Sequence, residues 1–370
     1  MRRRGSLVAF ITVVLLGALI FGGAYYTWNT VNDIFQPVSS SGAARTIPIV
    51  IQPGETTAQI ADDLQAKGLI RNALAFRIWA RIKGLDTHLQ AGAYTKMNTS
   101  MTISEIIDQL FNAQPDELLV NVPEGWRIEQ IAQRFAAAGL VKFNEQDFLT
   151  YTKHPNQFPD AAKYPILKSI PPGDSMEGLL FPDTYLVPVD GTARDAVNLM
   201  LKEFNDKVQQ NHLDIMAKAH NLTVYQMVIL ASIVEREVIF DSDRANVASV
   251  YWNRINRPND ETVGLLQSDP TVEYARDSQS GTKIYWVDLN KSGTGTTVAP
   301  DSPWNTYTHK GWPPTPICSP GLASLLAGAA PANTAYYFFL GIPKGKPNAG
   351  HIVFAKTKAE FDQDVQKYLQ

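Results

Sequence analysis

Apolar positions along the chain fall into three patterns. The first is residues 7–28, a run without a charge that follows Arg2, Arg3 and Arg4 and precedes the next charged residue, Asp33. Its length suits one membrane-crossing helix, with Tyr25, Tyr26 and Trp28 at the far end where an aromatic belt belongs. The second pattern is a repeat. Residues 47–51 alternate as a strand and lead through Pro53-Gly54-Glu55 into an amphipathic stretch that ends at Gly68-Leu69. Residues 118–122 do the same through Pro123-Glu124-Gly125, ending at Gly139-Leu140. This predicts a strand–turn–helix unit used twice, roughly 70 residues apart, with glycine closing each helix. Between the copies, Ala91-Gly92-Ala93-Tyr94 reads as a turn into a strand. Residues 102–111 read as a further helix, capped by Thr102 with Glu105 three positions on.

The third pattern is the stretch 223–240, TVYQMVILASIVEREVIF. Thr223 followed by Gln226 is a capping box, which places a helix start there. Val224, Met227, Leu230, Ala231, Val234 and Val238 recur at helical spacing. Ile229 and Ile233 add apolar surface on other faces, so the helix is expected to be enclosed nearly all round. Glu235 and Glu237 lie inside this run and flank the stripe on opposite sides. A buried carboxylate is costly unless paired or functional. Both can therefore look into a cleft, and periodicity does not choose between them; the alternative is that both sit at an exposed helix end with Arg236 facing solvent.

The remaining elements follow from the same rules. Residues 193–219 predict a helix or a broken pair. Residues 244–255 predict a helix with Val247, Val250, Tyr251 and Ile255 on one face and Asp243 as N-cap. Gly178 and Pro182 forbid a continuous helix over 177–185, so a buried loop or strand edge presenting aromatics is expected there. Residues 267–274 read as a polar turn and then a strand. Residues 277–301, rich in Ser, Gly and Thr, read as a long surface loop, a candidate lid. Aromatic and proline-dense segments at 304–307 and 311–316 suit a rigid groove. Strands at 335–342 and 350–354 and a terminal helix at 359–369 complete an α+β chain.

Composition narrows the chemistry. The net charge is −3 with no basic block beyond the first residues, so nucleic acid is not an expected partner. The single cysteine, Cys318, excludes an intramolecular disulfide and any CxxC site, and reads as a small packed residue. The six histidines show no ligand spacing, and HExxH, GxSxG and P-loop motifs are absent, so neither a metal nor another cofactor is predicted. The arginines before the apolar run put the N-terminus in the cytoplasm. A cleaved signal peptide has a shorter apolar core closed by an A-x-A-like site, so residues 1–28 are expected to stay as cytoplasmic tip and anchor. Residues 29–46 follow as linker, with the rest of the chain extracytoplasmic, in three parts: 47–115, 116–190 and 191–370. Burial raises a glutamate's pKa and lets it donate a proton near neutral pH, which fits cleavage of a glycosidic bond.

Two resemblances sharpen this. The β–α unit over 47–115 resembles the lysin-motif fold, which binds N-acetylated glycan strands. More specifically, several blocks occur in the order and spacing of the endolytic murein transglycosylases, the YceG-like or MltG family. They are Glu177-Gly178 with Phe181-Pro182-Asp183-Thr184-Tyr185; Ala231-Ser232-Ile233-Val234-Glu235-Arg236-Glu237; Val247-Ala248-Ser249-Val250 with Asn253-Arg254; Gln267-Ser268-Asp269-Pro270-Thr271-Val272; Asn305-Thr306-Tyr307; Pro313-Pro314 through Ser319-Pro320-Gly321; and Gly350-His351 with Phe354. The resemblance covers nearly the whole chain, the anchor included. It implies a catalytic glutamate at Glu237, with Glu235 as a neighbour that tunes or orients it. It also implies non-hydrolytic cleavage of the MurNAc–GlcNAc β-1,4 bond in nascent peptidoglycan, leaving a 1,6-anhydro-MurNAc end. Gln267, Asp269, Asn305 and Tyr307 are expected to line the same groove. Peptidoglycan strands are then the substrate, at the bacterial inner membrane, with cell-wall synthases as candidate protein partners. The chain departs from the family pattern in a longer loop at 277–301 and in Phe361 after Glu360, where histidine is frequent.

Two other readings stay open on the residues alone. One is a lysozyme-type hydrolase with Glu237 as acid and Asp269 or Glu235 as partner. The other is a non-enzymatic glycan-binding scaffold for cell-wall synthases.

Overall fold

The computed structural model describes residues 32–39, 41–52, 54–84, 92–112, 116–280, 284–289 and 302–369. The expected anchor at 7–28 lies outside them, as does most of the loop expected at 277–301. Among the described residues no helix is long and apolar enough to cross a membrane. The chain divides into two compact units between Leu119 and Val120.

In the first unit, strand β1 (Ile49–Ile51) pairs antiparallel with β2 (Gly92–Tyr94), Ile49 opposite Tyr94 and Ile51 opposite Gly92. Three helices pack against them: α1 (Thr57–Ala66), α2 (Ala73–Ile82) and α3 (Ile103–Asn112). Their inward positions, including Ile60, Leu64, Phe76, Ile106 and Ile107, form one core with Ile49, Ile51 and Leu69. Helices α1 and α3 fall where the pattern predicts them, whereas α2, opened by the Asn72 side chain accepting from the Ala75 N–H at 2.8 Å, is not among the predicted elements. The Gln59 N–H donates to Thr56 Oγ1 (3.3 Å) while the Gln59 side chain returns to the Thr56 N–H (2.9 Å), and Thr102 with Glu105 repeats the box. Gly68, at φ 73°, closes α1 as a left-handed cap.

The second copy of the repeat opens the second unit. Strand β3 (Glu117–Asn121) carries the chain across the division and is followed by α4 (Ile128–Ala136), closed by Gly139 at φ 86°. The Val122 N–H donates to the Asp183 carbonyl at 2.9 Å, just before β4 (Thr184–Pro188). Helix α5 (Glu145–Lys153) lies between these strands in sequence. The segment 177–183 is a buried loop, as expected, but Phe181 and Tyr185 are packed into the core rather than presented. Gly178 has φ 79°, and a Cβ there would stand 2.4 Å from Pro316 Cβ, so only glycine fits.

Helices α6 (Ala193–Gln210) and α7 (Leu213–Ala219) are the broken pair, separated where His212 adopts φ 53°. Helix α8 (Val224–Glu237) is enclosed as predicted, with every residue from Met227 to Val234 buried. It packs so closely on α11 (Leu322–Ala329) that a Cβ on Gly328 would meet the Met227 carbonyl at 2.8 Å. Helix α9 (Asp241–Asn256) begins before Asp243, so Asp243 is not the N-cap. Its carboxylate instead accepts from the Ile352 N–H at 3.2 Å and contacts His351 Nδ1 at 3.1 Å. The strand expected within 267–274 is a helix, α10 (Asp269–Ser280). Pro270 falls in its first turn, where a missing N–H costs nothing, and its β-branched neighbours follow tertiary packing rather than propensity. This helix also takes up the start of the expected loop. The chain ends in an antiparallel hairpin, β5 (Phe338–Gly341) with β6 (Ile352–Ala355), and helix α12 (Lys358–Leu369).

Candidate active site

Helix α8 stops at Glu237 because Val238 turns to extended backbone, φ −122° and ψ 132°. The Glu237 side chain therefore projects from a helix C-terminus, the end whose dipole disfavours negative charge. Two donors meet its carboxyl. The Tyr251 hydroxyl, on α9, donates to Oε1 at 2.6 Å, and the Ser268 hydroxyl, just before α10, donates to the same oxygen at 3.0 Å. Tyr251 and Ser268 are fully buried, and the Tyr251 ring is held edge-on by Phe339 of β5 at 5.7 Å between centroids. Burial pushes the Glu237 carboxyl up from its ordinary pKa, against the lowering effect of the Tyr251 and Ser268 hydrogen bonds. The same burial, with the nearby Glu237, raises the Tyr251 phenol well above its own.

The segment that brings Ser268 to Glu237 is fastened from two sides. Arg254, one turn beyond Tyr251 on α9, donates through Nε to the Tyr337 carbonyl at 2.8 Å and through Nη1 to the Leu266 carbonyl. On the other side the Gln267 N–H donates to the Thr306 carbonyl (3.1 Å) and the Ser268 N–H to Thr306 Oγ1 (3.0 Å), while Thr271 and Thr306 share a hydroxyl contact at 2.8 Å. Gln267 holds φ 54° to make this turn. The Tyr307 hydroxyl donates to Asp269 Oδ1 at 2.6 Å, and the Tyr307 N–H to Asn305 Oδ1 at 3.1 Å. Gln267, Asp269, Asn305 and Tyr307 thus come together in two stapled segments flanking Ser268. Asp269 and Tyr307 are exposed, and Gln267 and Asn305 half-buried.

Glu235 goes elsewhere. It accepts from the Gly321 N–H at 3.0 Å and pairs with Arg244 Nη1 at 3.4 Å, both side chains 8% exposed. Its carboxyl ties α8 to α9 and to the start of α11, and it does not share the donors that hold Glu237. The opposite-face geometry of the Glu-x-Glu pair thus separates one carboxyl in a structural pair from one held by two hydroxyls.

Sequence reasoning did not single out Tyr251 and Ser268. Tyr251 belongs by spacing to an apolar helix face, and Ser268 stands between Gln267 and Asp269, the two residues that the family pattern marks. Nor did it find a second buried polar cluster, around Glu177. That carboxyl is 1% exposed, takes the Ile128 N–H at 3.2 Å and is pushed up to about 8, first by burial and then by Glu129. Beside it Arg127, equally buried, donates to the Tyr274 carbonyl (3.3 Å) and Ser278 Oγ (2.7 Å) with its guanidinium 4.2 Å over the Tyr274 ring. The second repeat thereby grips α10 from behind. Cys318 is buried, its Sγ against the Ser232 carbonyl at 3.3 Å, and burial pushes its thiol well up, as befits a packing residue. Among the described residues no three His, Cys, Asp or Glu side chains gather as a metal ligand set.

Comparison with known proteins bears on the same residues. A family model described as the YceG-like family matches residues 49–367. A protein of Bacillus subtilis named endolytic murein transglycosylase is 30% identical over 95% of this chain and 91% of its own length. One of the same name from Streptococcus pneumoniae is 27% identical over 97% of this chain, which spans 65% of that relative. A crystal structure of a yceG-like protein from Listeria monocytogenes superposes with a TM-score of 0.53 at 26% identity, covering 87% of this chain and 99% of that one. The blocks that carry the buried carboxyl, its serine and the stapling threonine all fall inside the matched span, and the chain belongs to the YceG-like family.

Proposed function

We propose that this chain is an endolytic lytic transglycosylase of peptidoglycan, with Glu237 as its acid and base. The observation that carries the reading is the Glu237 carboxyl itself: desolvated at a helix C-terminus, raised in pKa, and held through one oxygen by Tyr251 and Ser268. The names of the relatives support the reaction class and the substrate.

Among the described residues both donors act on Oε1, which leaves Oε2 to carry the proton. In the first half of the reaction that proton passes to the glycosidic oxygen as the bond to the MurNAc anomeric carbon breaks. The resulting carboxylate, steadied by two hydroxyl donors, then takes the proton from the C6 hydroxyl of the same sugar. Its oxygen bonds to the anomeric carbon and closes the 1,6-anhydro ring. Glu237 ends protonated as it began, no water is consumed, and a second catalytic carboxylate is not required. Glu235 supports the helix end structurally. Gln267, Asp269, Asn305 and Tyr307 form the polar rim that contacts the glycan strand, and Tyr307 and Asp269 orient one another through their hydrogen bond.

The uncharged run 7–28 anchors the chain in the bacterial inner membrane with its body outside the cytoplasm, where cuts fall on newly made strands near cell-wall synthases. The lysin-motif-like part, 47–115, adds contact with glycan. N-terminal sequencing of the mature protein tests the anchor: a start beyond Trp28 would contradict it. Mass spectrometry of muropeptides released from peptidoglycan tests the reaction. An anhydro end supports transglycosylation, a reducing end supports the lysozyme-type reading, and intact glycan supports a scaffold.

A further inference from the structure

The chain leaves α8 at Glu237 and passes through Val238, Ile239 and Phe240 before α9 begins at Asp241. Val238 turns inward, whereas Ile239 is 73% exposed and Phe240 40%. Large apolar side chains grouped on the surface are informative where isolated ones are not, and these two stand directly after the acid. They are also built in place. The Phe240 ring stacks on the His351 imidazole, centroids 4.2 Å apart and planes within 15°. His351 is fixed in turn by the Asp243 carboxylate, 3.1 Å from Nδ1, which also accepts the Ile352 N–H. Gly350, at φ 86°, brings the hairpin so close that a Cβ there would stand 3.0 Å from Phe240 Cε2 and 3.6 Å from Ile239 Cδ1. Glycine at that position lets the hairpin lie against both apolar side chains.

The same hairpin reaches the reacting carboxyl. Phe339 on β5 holds the Tyr251 ring, and Tyr251 holds Glu237. At the hairpin's far end the Ile342 N–H donates to the His351 carbonyl and the Gly350 N–H to the Ile342 carbonyl, each at 2.8 Å. Glu237 and the Phe240–His351 stack are therefore positioned by one rigid element as well as by three residues of chain.

We propose that Ile239, Phe240 and His351 form a sugar platform, a subsite that takes the C–H face of an N-acetylated pyranose ring beside the linkage that is cleaved. The inference rests on the transglycosylase reading for its ligand class. A sugar ring presents polarised C–H groups on one face, which match the negative face of an aromatic ring. Ile239 offers the adjoining apolar surface that an acetamido methyl covers. Ligand sites combine such apolar faces with few polar groups, and here the polar groups are those around Glu237.

The test uses the full chain and peptide-free strands of alternating N-acetylglucosamine and N-acetylmuramic acid. Phe240→Ala is expected to raise KM for these strands about tenfold, the effect of losing one ring-stacking contact, while kcat falls far less and the thermal midpoint stays close to that of the parent. Phe240→Trp is expected to retain the parent KM. Strand binding is measured in parallel in a Glu237→Gln background with and without Phe240→Ala, so the platform is read even if the parent releases no anhydro product. A parent that binds strands but does not cleave them would count against the reaction, while a tenfold loss of binding on Phe240→Ala would still support the platform. Unchanged KM and unchanged binding in Phe240→Ala would overturn the platform, as would a loss confined to kcat, which would make Phe240 a positioning residue for Glu237.

Discussion

The Tyr251 hydroxyl donates to Glu237 Oε1 across 2.6 Å, from a ring that is 1% exposed. A phenol buried against a carboxyl does two things. It steadies the carboxylate formed midway through the reaction, and it limits how far burial can raise the carboxyl's pKa. Tyr251→Phe deletes the donor and keeps the ring against Phe339. Removing a donor to the charged form raises Glu237 further, so the alkaline limb of kcat/KM, where the acid loses its proton, is expected to move to higher pH. Turnover is expected to fall roughly 10- to 100-fold, the effect of one hydrogen bond to a charged group. An alkaline limb that stays in place in the variant would show that another group sets it.

Glu177 gives a stability prediction with a defined sign. Its pKa rises from the ordinary 4.5 to about 8 in the folded chain. The folded state thus holds this proton more tightly than the unfolded state, and its contribution to stability is full below pH 4.5 and is lost as pH rises toward 8. Glu177→Gln keeps an acceptor for the Ile128 N–H and removes the titration. Urea unfolding at pH 5 and pH 8 is expected to show the variant gaining relative to the parent at the higher pH, by on the order of a few kcal/mol. Parallel stability curves for the two proteins would contradict the assignment.

Glu235 and Arg244 form a buried pair, and breaking such a pair by removing one partner typically costs about 3 kcal/mol or more. Arg244→Met is expected to lower stability by about that amount in urea unfolding, and Glu235→Gln to retain most of its turnover because its carboxyl has no part in proton transfer. A Glu235→Gln variant as inactive as a Glu237 variant would move Glu235 into the reaction.

The elements legible in the sequence were those written in one local code. The capping boxes at Thr102 and Thr223, the glycine closures at Gly68 and Gly139 and the enclosure of α8 each follow from residues close together in the chain. The segment after Gln267 is a helix where local propensity predicts a strand: Val272 and Thr271 favour strand locally, while α10 is fixed by distant partners, with Arg127 gripping Tyr274 and Ser278 and Thr306 stapling Ser268. Asp243 lies inside α9 and does not cap it for the same reason, since its partners come from the hairpin at His351 and Ile352. At the site, Glu237 stood out as a charge inside an apolar run. Tyr251 and Ser268 did not, because a buried tyrosine and a lone serine look like packing until a long-range contact gives them a carboxyl. The roles of Glu235 and Glu237 were separable only through Arg244 and Gly321 on one side and the two hydroxyls on the other.

One carboxyl, Glu237, both gives and takes the proton in the proposed reaction. Glu237→Gln preserves the shape of the group and an acceptor for Tyr251 and Ser268 while removing the ionisable proton. The decisive measurement is the rate of 1,6-anhydro-muropeptide release from purified peptidoglycan by the full chain and by Glu237→Gln, with thermal unfolding recorded on the same samples. With Glu237 as the proton carrier, release is expected to fall by at least roughly 10²- to 10⁴-fold in a variant that unfolds no earlier than the parent. Release at the parent rate by a well-folded Glu237→Gln variant would contradict it.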